Sequence, residues 1–182
     1  IKEGPKVYVE RIDIVGNIRT LDKVVRREFR LVEGDAFNAA KLQRSRQRIQ
    51  GLGFFKKAEV TNIQGSAPDK TVIKVEVVEK STGEISFGAG FSTTAGILGD
   101  ISIKERNLLG KGQKLRLGVS IGTLSTMIDL SFTEPYWHDR RVLLGGSIFA
   151  TRTDYTDFAG YKSQNIGGST QLGWERMDHP LP

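Results

Sequence analysis

The chain has 182 residues, enough for one large domain or two small ones, and carries 27 Lys and Arg against 21 Asp and Glu, a net charge of +6. It has no cysteine, which excludes a disulfide framework and thiolate metal sites. No run of about 18 apolar residues occurs, so no transmembrane helix is expected, and the ordered apolar patterns argue against disorder. The chain begins at Ile1 rather than Met and is read as a segment of a longer protein.

Composition divides the chain near residue 80. Residues 1–80 hold 17 Lys and Arg and 11 Asp and Glu, whereas residues 81–182 hold 10 of each, so the basic excess lies wholly in the first part. Glycine divides the other way, 6 against 15. Two structural units are expected, 1–80 and 81–182, with the boundary near Lys80–Gly83.

The first part reads as strand, two helices, strand, strand. Val7–Val15 alternates and ends on the turn signal Gly16-Asn17. Thr20 is the expected N-cap of a first helix with Leu21, Val24, Val25 and Phe29 at helical spacing. Asn38 is the expected cap of a second helix, whose narrow apolar face is Leu42, Ser45, Ile49 and Leu52, and which Gly51 and Gly53 end. Lys41, Arg44, Arg46 and Arg48 make the rest of that helix basic. Ala58–Ile63 and Thr71–Val78 are strands joined by a turn over Gly65–Asp69.

The second part has no helical period but six alternating stretches: Glu84–Phe91, Ile97–Lys104, Lys114–Gly122, Met127–Thr133, Arg141–Thr151 and Gln164–Glu175. Each sets an apolar row against small and polar residues, as Ile85, Phe87, Ala89 and Phe91 stand against Glu84, Ser86, Gly88 and Gly90. Arg141–Thr151 is the least regular, because Leu143 and Phe149 fall among the small residues. An ordinary half-buried antiparallel sheet shows the same alternation. Strand lengths of about 8 to 12 residues, a small polar second face and aromatics near strand ends (Tyr136, Trp137, Tyr155, Phe158, Trp174) fit a membrane barrel. Six strands fall short of the roughly eight that such a barrel needs, so on that reading more strands follow.

Enzymatic readings find little. His138 and His179 lack the spacing of a metal pair. Gly88-Ala89-Gly90 and Gly110-Lys111-Gly112 precede no helix and are not phosphate loops. The basic residues have few interleaved aromatics to stack nucleic-acid bases. The expectation is a protein that is not an enzyme, with no cofactor, no metal and no nucleic-acid partner.

Val24, Arg27, Gly34-Asp35 and Phe37, followed by Leu42 through Leu52-Gly53-Phe54-Phe55 to the strand at Val60, resemble a POTRA (polypeptide-transport-associated) domain. Glu105-Arg106-Asn107-Leu108-Leu109-Gly110-Lys111-Gly112 and Phe132-Thr133-Glu134-Pro135-Tyr136-Trp137 resemble turns of the BamA-type outer-membrane barrel. The resemblance covers nearly the whole chain, roughly residues 6–180. The resemblance implies an α+β POTRA domain (β-α-α-β-β) in the periplasm, followed by antiparallel strands of a partial transmembrane β-barrel. Residues 105–113 and 134–140 become periplasmic turns; 93–96, 122–126 and 154–161 become outer loops. It also implies assembly and insertion of outer-membrane β-barrel proteins, with unfolded clients, accessory lipoproteins of an assembly complex and outer-membrane lipid as partners.

Two strand edges are then the candidate sites. The first barrel strand (Glu84, Ile85, Ser86, Phe87, Gly88, Ala89, Gly90, Phe91) could template a client strand through its backbone, its inward glycines making a weak seam. Those glycines could equally serve just to relieve crowding inside the barrel. The second POTRA strand (Ala58, Glu59, Val60, Thr61, Asn62, Ile63), an edge in this family, could hold a client or a partner, or be a plain edge guarded by Lys56 and Lys57. The basic helix face could meet anionic headgroups or an acidic partner. A two-partner secretion transporter exporting one exoprotein, and a soluble peptide-binding module, are the alternatives.

Overall fold

The structure, a computed structural model, describes residues 6–93 and 96–174, with the backbone alone at Phe158. The chain divides into two units. The first runs to Thr82 and includes Leu109–Lys111; the second comprises Gly83–Leu108 and the residues from Gly112 onward.

The first unit contains β1 (Tyr8–Val15), α1 (Asp22–Arg26), α2 (Ala39–Gly51), β2 (Phe55–Gln64) and β3 (Lys70–Glu79). Its sheet has the order β1-β3-β2, with β1 parallel and β2 antiparallel to β3. The central strand is the most apolar, as burial on both faces demands, and Val72, Ile73, Val75 and Val77 are all buried. Val24 and Val25 of α1, and Leu42 and Ile49 of α2, close the core with Val9, Ile12 and Ala58.

Helix α2 follows its sequence. Asn38 caps it by accepting the Lys41 N–H at 3.0 Å, and Leu42, Ser45 and Ile49 form the buried face. Ser45 belongs on that face because its hydroxyl accepts the Arg30 N–H at 3.0 Å and donates to the Lys41 carbonyl at 2.9 Å.

The start of α1 is a correction. Its N-cap is Leu21, with no side-chain cap bond, and the helix has five residues, so Phe29 reaches the core from beyond its end. Thr20 is instead buried, because the Glu79 carboxylate at the end of β3 takes its N–H at 2.7 Å and that of Arg19 at 2.9 Å. A carboxylate on a distant strand outcompetes the local capping geometry.

The second unit is a six-stranded antiparallel meander in sequence order: β4 (Gly83–Ser92), β5 (Gly96–Leu108), β6 (Gln113–Gly122), β7 (Ser125–Glu134), β8 (Val142–Asp154) and β9 (Lys162–Trp174). A 3-10 turn at Trp137–Asp139 joins β7 to β8, and α3 (Thr156–Ala159) lies between β8 and β9. Strand β5 runs four residues past the expected Lys104, which shortens the following turn.

Register turns the alternation into one continuous apolar face. One row across all six strands is Phe87, Ile101, Val119, Ile128, Ala150 and Ile166. The next is Ile85, Ile103, Leu117, Leu130, Ile148 and Gly168. The apolar band shifts along the strands as it crosses the sheet. On β4 it spans Ile85–Phe91, whereas on β9 it spans Ile166–Trp174, displaced toward the end where β4 begins. Such a stagger keeps an apolar belt level when strands tilt in a barrel.

The opposite face is polar and small. The irregularity at Phe149 has a physical basis: its ring covers Gly167, its register partner, where a Cβ would lie 2.6 Å from the ring. Gly118 likewise makes room for the Asp129 carboxylate, which a Cβ there would meet.

Candidate strand-edge sites

Residues Glu84–Phe91 all lie in β4, which pairs with β5 on one side and with no other strand among the described residues. Ser86, Gly88 and Gly90 share the polar face with Glu84, as expected. A Cβ on Gly88 would come no nearer than 3.5 Å to Asp100, and one on Gly90 no nearer than 3.6 Å to Leu98, both ordinary contacts. Among the described residues Gly118 and Gly167 make room for a neighbouring side chain, whereas Gly88 and Gly90, like Gly145 and Gly173, meet only ordinary contacts. What the β4 glycines do provide is a strand with little side-chain packing to hold it.

Residues Ala58–Ile63 lie in β2, an edge of the first unit's sheet; the opposite edge is β1. The two edges differ. The backbone of β1 is covered by the segment after α1, with Val9 N–H on the Asp35 carbonyl at 2.8 Å and Gly34 N–H on the Val9 carbonyl at 2.7 Å. Farther along, Ile12 donates to the Glu33 carboxylate at 3.2 Å and its carbonyl accepts from the Arg26 guanidinium at 2.8 Å. Along β2 the corresponding contact among the described residues is one long bond, from the Gln50 amide to the Ala58 carbonyl at 3.4 Å. No local signal marks β1 as capped, since these partners sit 14 to 26 residues away and include a loop backbone.

The open edge carries the guards expected of it. Lys56 and Lys57 are exposed, and a bulge falls between Phe55 and Lys57. Lys57 pairs with Glu59 at 2.8 Å, and this hydrogen-bonded cation holds the Glu59 carboxyl below its ordinary value. Glu79 lies below its ordinary value of 4.5 as well: burial pushes it up, but hydrogen bonds from the Thr20 hydroxyl and the N–H groups of Thr20, Arg19 and Ile18 outweigh that.

The basic face of α2 is partly consumed internally. Arg48 binds the buried Glu28 carboxylate at 3.0 Å, and Arg30, Arg44, Gln47 and Arg48 line a shallow hollow of about 330 Å³. Among the described residues no cluster of His, Cys, Asp and Glu could hold a metal ion, and no helix is long and apolar enough to cross a membrane.

Residues 7–80 match the POTRA family model, described as a surface antigen variable number repeat, and residues 107–179 match the Omp85 superfamily domain. The outer membrane protein assembly factor BamA of Neisseria meningitidis is 33% identical over 94% of the chain, and that of Nitratidesulfovibrio vulgaris 34% identical over 93%. The chain spans about a fifth of the length of these relatives, 22% and 21%. The crystal structure of Haemophilus ducreyi BamA lacking POTRA domains 1–3 superposes with a TM-score of 0.82 at 34% identity, over 93% of this chain and 32% of that one. With these relatives, the six-stranded sheet is part of an outer-membrane barrel and the α+β unit is periplasmic. The chain belongs to the Omp85 superfamily and joins a POTRA domain to strands of a BamA-type barrel.

Proposed function

We propose that the protein containing this chain assembles β-barrel proteins into the bacterial outer membrane, with β4 as the strand edge that templates the client. The observation that carries the reading is that β4 pairs with β5 alone among the described residues and, over Glu84–Phe91, has only Glu84, Ser86, Gly88 and Gly90 on its inner face, with little side-chain packing to hold it. Insertion needs no covalent chemistry. A strand entering lipid must pair every N–H and C=O, and an edge that opens can supply the partners before the client closes on itself. The BamA relatives are named as assembly factors, which supports the same role here. The open β2 edge would hold client segments or an accessory lipoprotein by the same backbone pairing.

The test is made in the full-length protein. A cysteine pair tying β4 to the last barrel strand stops client insertion under oxidising conditions, and reductant restores it. Proline at Phe87 and at Gly88, tested singly, covers both hydrogen-bonding directions of the strand, one of which faces the edge. At least one of the two blocks insertion, whereas Ser86→Ala, which keeps its N–H, does not. Normal assembly by the oxidised, locked protein overturns β4 templating and shifts the work to β2. Cysteines at Thr123 and Asp157 are labelled from outside intact cells and those at Lys111 and Asp139 are not; the reverse pattern overturns the topology.

A further inference from the structure

On β8 the residues of the apolar face run Val142, Leu144, Gly146, Ile148, Ala150 and Arg152, each fixed by its register partner on β9. The series starts beside Trp174, the partner of Val142, and ends on a cation. The ten steps from Val142 to Arg152 rise about 33 Å along the strand, or about 25 Å along the membrane normal at a tilt of about 40°. That is the height of the apolar band of an outer-membrane barrel. Arg152 therefore stands at the lipid boundary on the side away from the periplasm, just before the Tyr155 and Tyr161 ring pair, whose centroids are 5.2 Å apart.

The surroundings of Arg152 leave its charge unbalanced. It is exposed, and among the described residues no hydrogen bond or ion pair engages its side chain. The nearest carboxylate on its own strand and face, Asp154, is taken by Lys162 at 2.6 Å and by Thr156. Its register neighbours are Thr126 on one side and Gln164 on the other, both exposed and neutral. A lipid-facing arginine costs about 2 to 4 kcal/mol at the bilayer midplane and about 0 to 1 near the interface.

We propose that Arg152, flanked by Thr126 and Gln164, binds the phosphate of an anionic lipid headgroup in the outer leaflet. The guanidinium fork matches phosphate oxygens in a bidentate pair. The hydroxyl and the amide stand about one strand spacing, roughly 4.8 Å, to either side and can donate to the remaining oxygens. The proposal rests on the barrel's place in the membrane and not on templating at β4, so the two fail separately.

The test uses the full-length protein in nanodiscs of phosphatidylcholine mixed with phosphatidylglycerol, with native mass spectrometry counting the lipids that survive delipidation. Wild type retains phosphatidylglycerol in preference to phosphatidylcholine. Arg152→Gln retains one phosphatidylglycerol fewer, Gln164→Leu holds that lipid less firmly, and Arg152→Lys keeps it with reduced stability. Heat-modifiable gel mobility establishes that each variant is folded. Equal phosphatidylglycerol counts in wild type and folded Arg152→Gln overturn the site. Should Arg152→Gln fail to fold, Gln164→Leu and Arg152→Lys decide, and undiminished retention in both overturns it.

Discussion

The two units use the same apolar residue types to opposite ends. Among the described residues every buried apolar side chain lies in the POTRA domain, from Val9 to Val77, and none in the six-stranded sheet. The sheet nevertheless exposes Ile85, Phe87, Phe91, Ile97, Ile148, Ile166, Leu172 and Trp174. The POTRA domain folds by hiding apolar surface from water in a close-packed interior. The sheet has no interior of its own and gives its apolar face to lipid, a fluid that imposes no fixed shape. Sequence periodicity alone does not separate the two cases, because period two arises wherever one face differs from the other.

The sharpest way to test this contrast is to remove volume from the central POTRA strand. Ile73 is fully buried. Ile73→Ala loses the transfer energy of the removed groups and leaves a cavity, an expected cost of about 2 to 5 kcal/mol. Hydrogen exchange of the first-unit amides in the full-length protein measures it. Protection in β1–β3 falls by the corresponding factor while β4–β9 hold theirs. An equal loss in the sheet would mean that the two units unfold as one.

The same contrast explains what the sequence disclosed. The six barrel strands, the two helices and the three POTRA strands were legible because alternation, glycine turns and the Asn38 cap are local signals. The start of α1 was not, because Glu79 reaches Thr20 across 59 residues. Phe149 broke the pattern of β8 because its partner, Gly167, sits on another strand and leaves room for the ring. The resemblance located both candidate edges, whereas the capping of β1 by Asp35, Glu33 and Arg26 needed the fold. Arg152 lies just past the stretch Arg141–Thr151 that alternation marks out, and register is what places it at the end of an apolar column.

Two smaller effects belong to the POTRA domain alone. Glu79 has a lowered pKa when folded, so its stabilising contribution is full above the ordinary carboxylate value of 4.5 and disappears as pH falls through the lower, folded value. Glu79→Gln is therefore less stable than wild type at neutral pH, and the gap closes as the medium is acidified below that range. Urea melts across pH, followed by first-unit amide exchange, read the difference; a gap independent of pH would assign the effect to lost hydrogen bonding alone. Asn38→Ala removes the cap of α2 and is expected to cost about 1 kcal/mol, seen as faster exchange in the first turn of that helix.

The smallest expected effect is the most telling about the sheet. Ile148 lies on the lipid face of β8, 62% exposed, in register with Leu130 and Gly168. Ile148→Phe adds volume where the neighbour is a fluid acyl chain, which moves aside, and the larger ring is still apolar. Its expected effect in a bilayer is within about 0.5 kcal/mol, the range of substitutions that disturb no packed feature. The same change at Ile73 forces a ring into a filled interior and should cost about 1 to 3 kcal/mol. Reversible unfolding of the full-length protein in lipid vesicles, with amide exchange reporting each unit, compares the two. A penalty at Ile148 as large as that at Ile73 would mean that protein, not lipid, covers this face of β8.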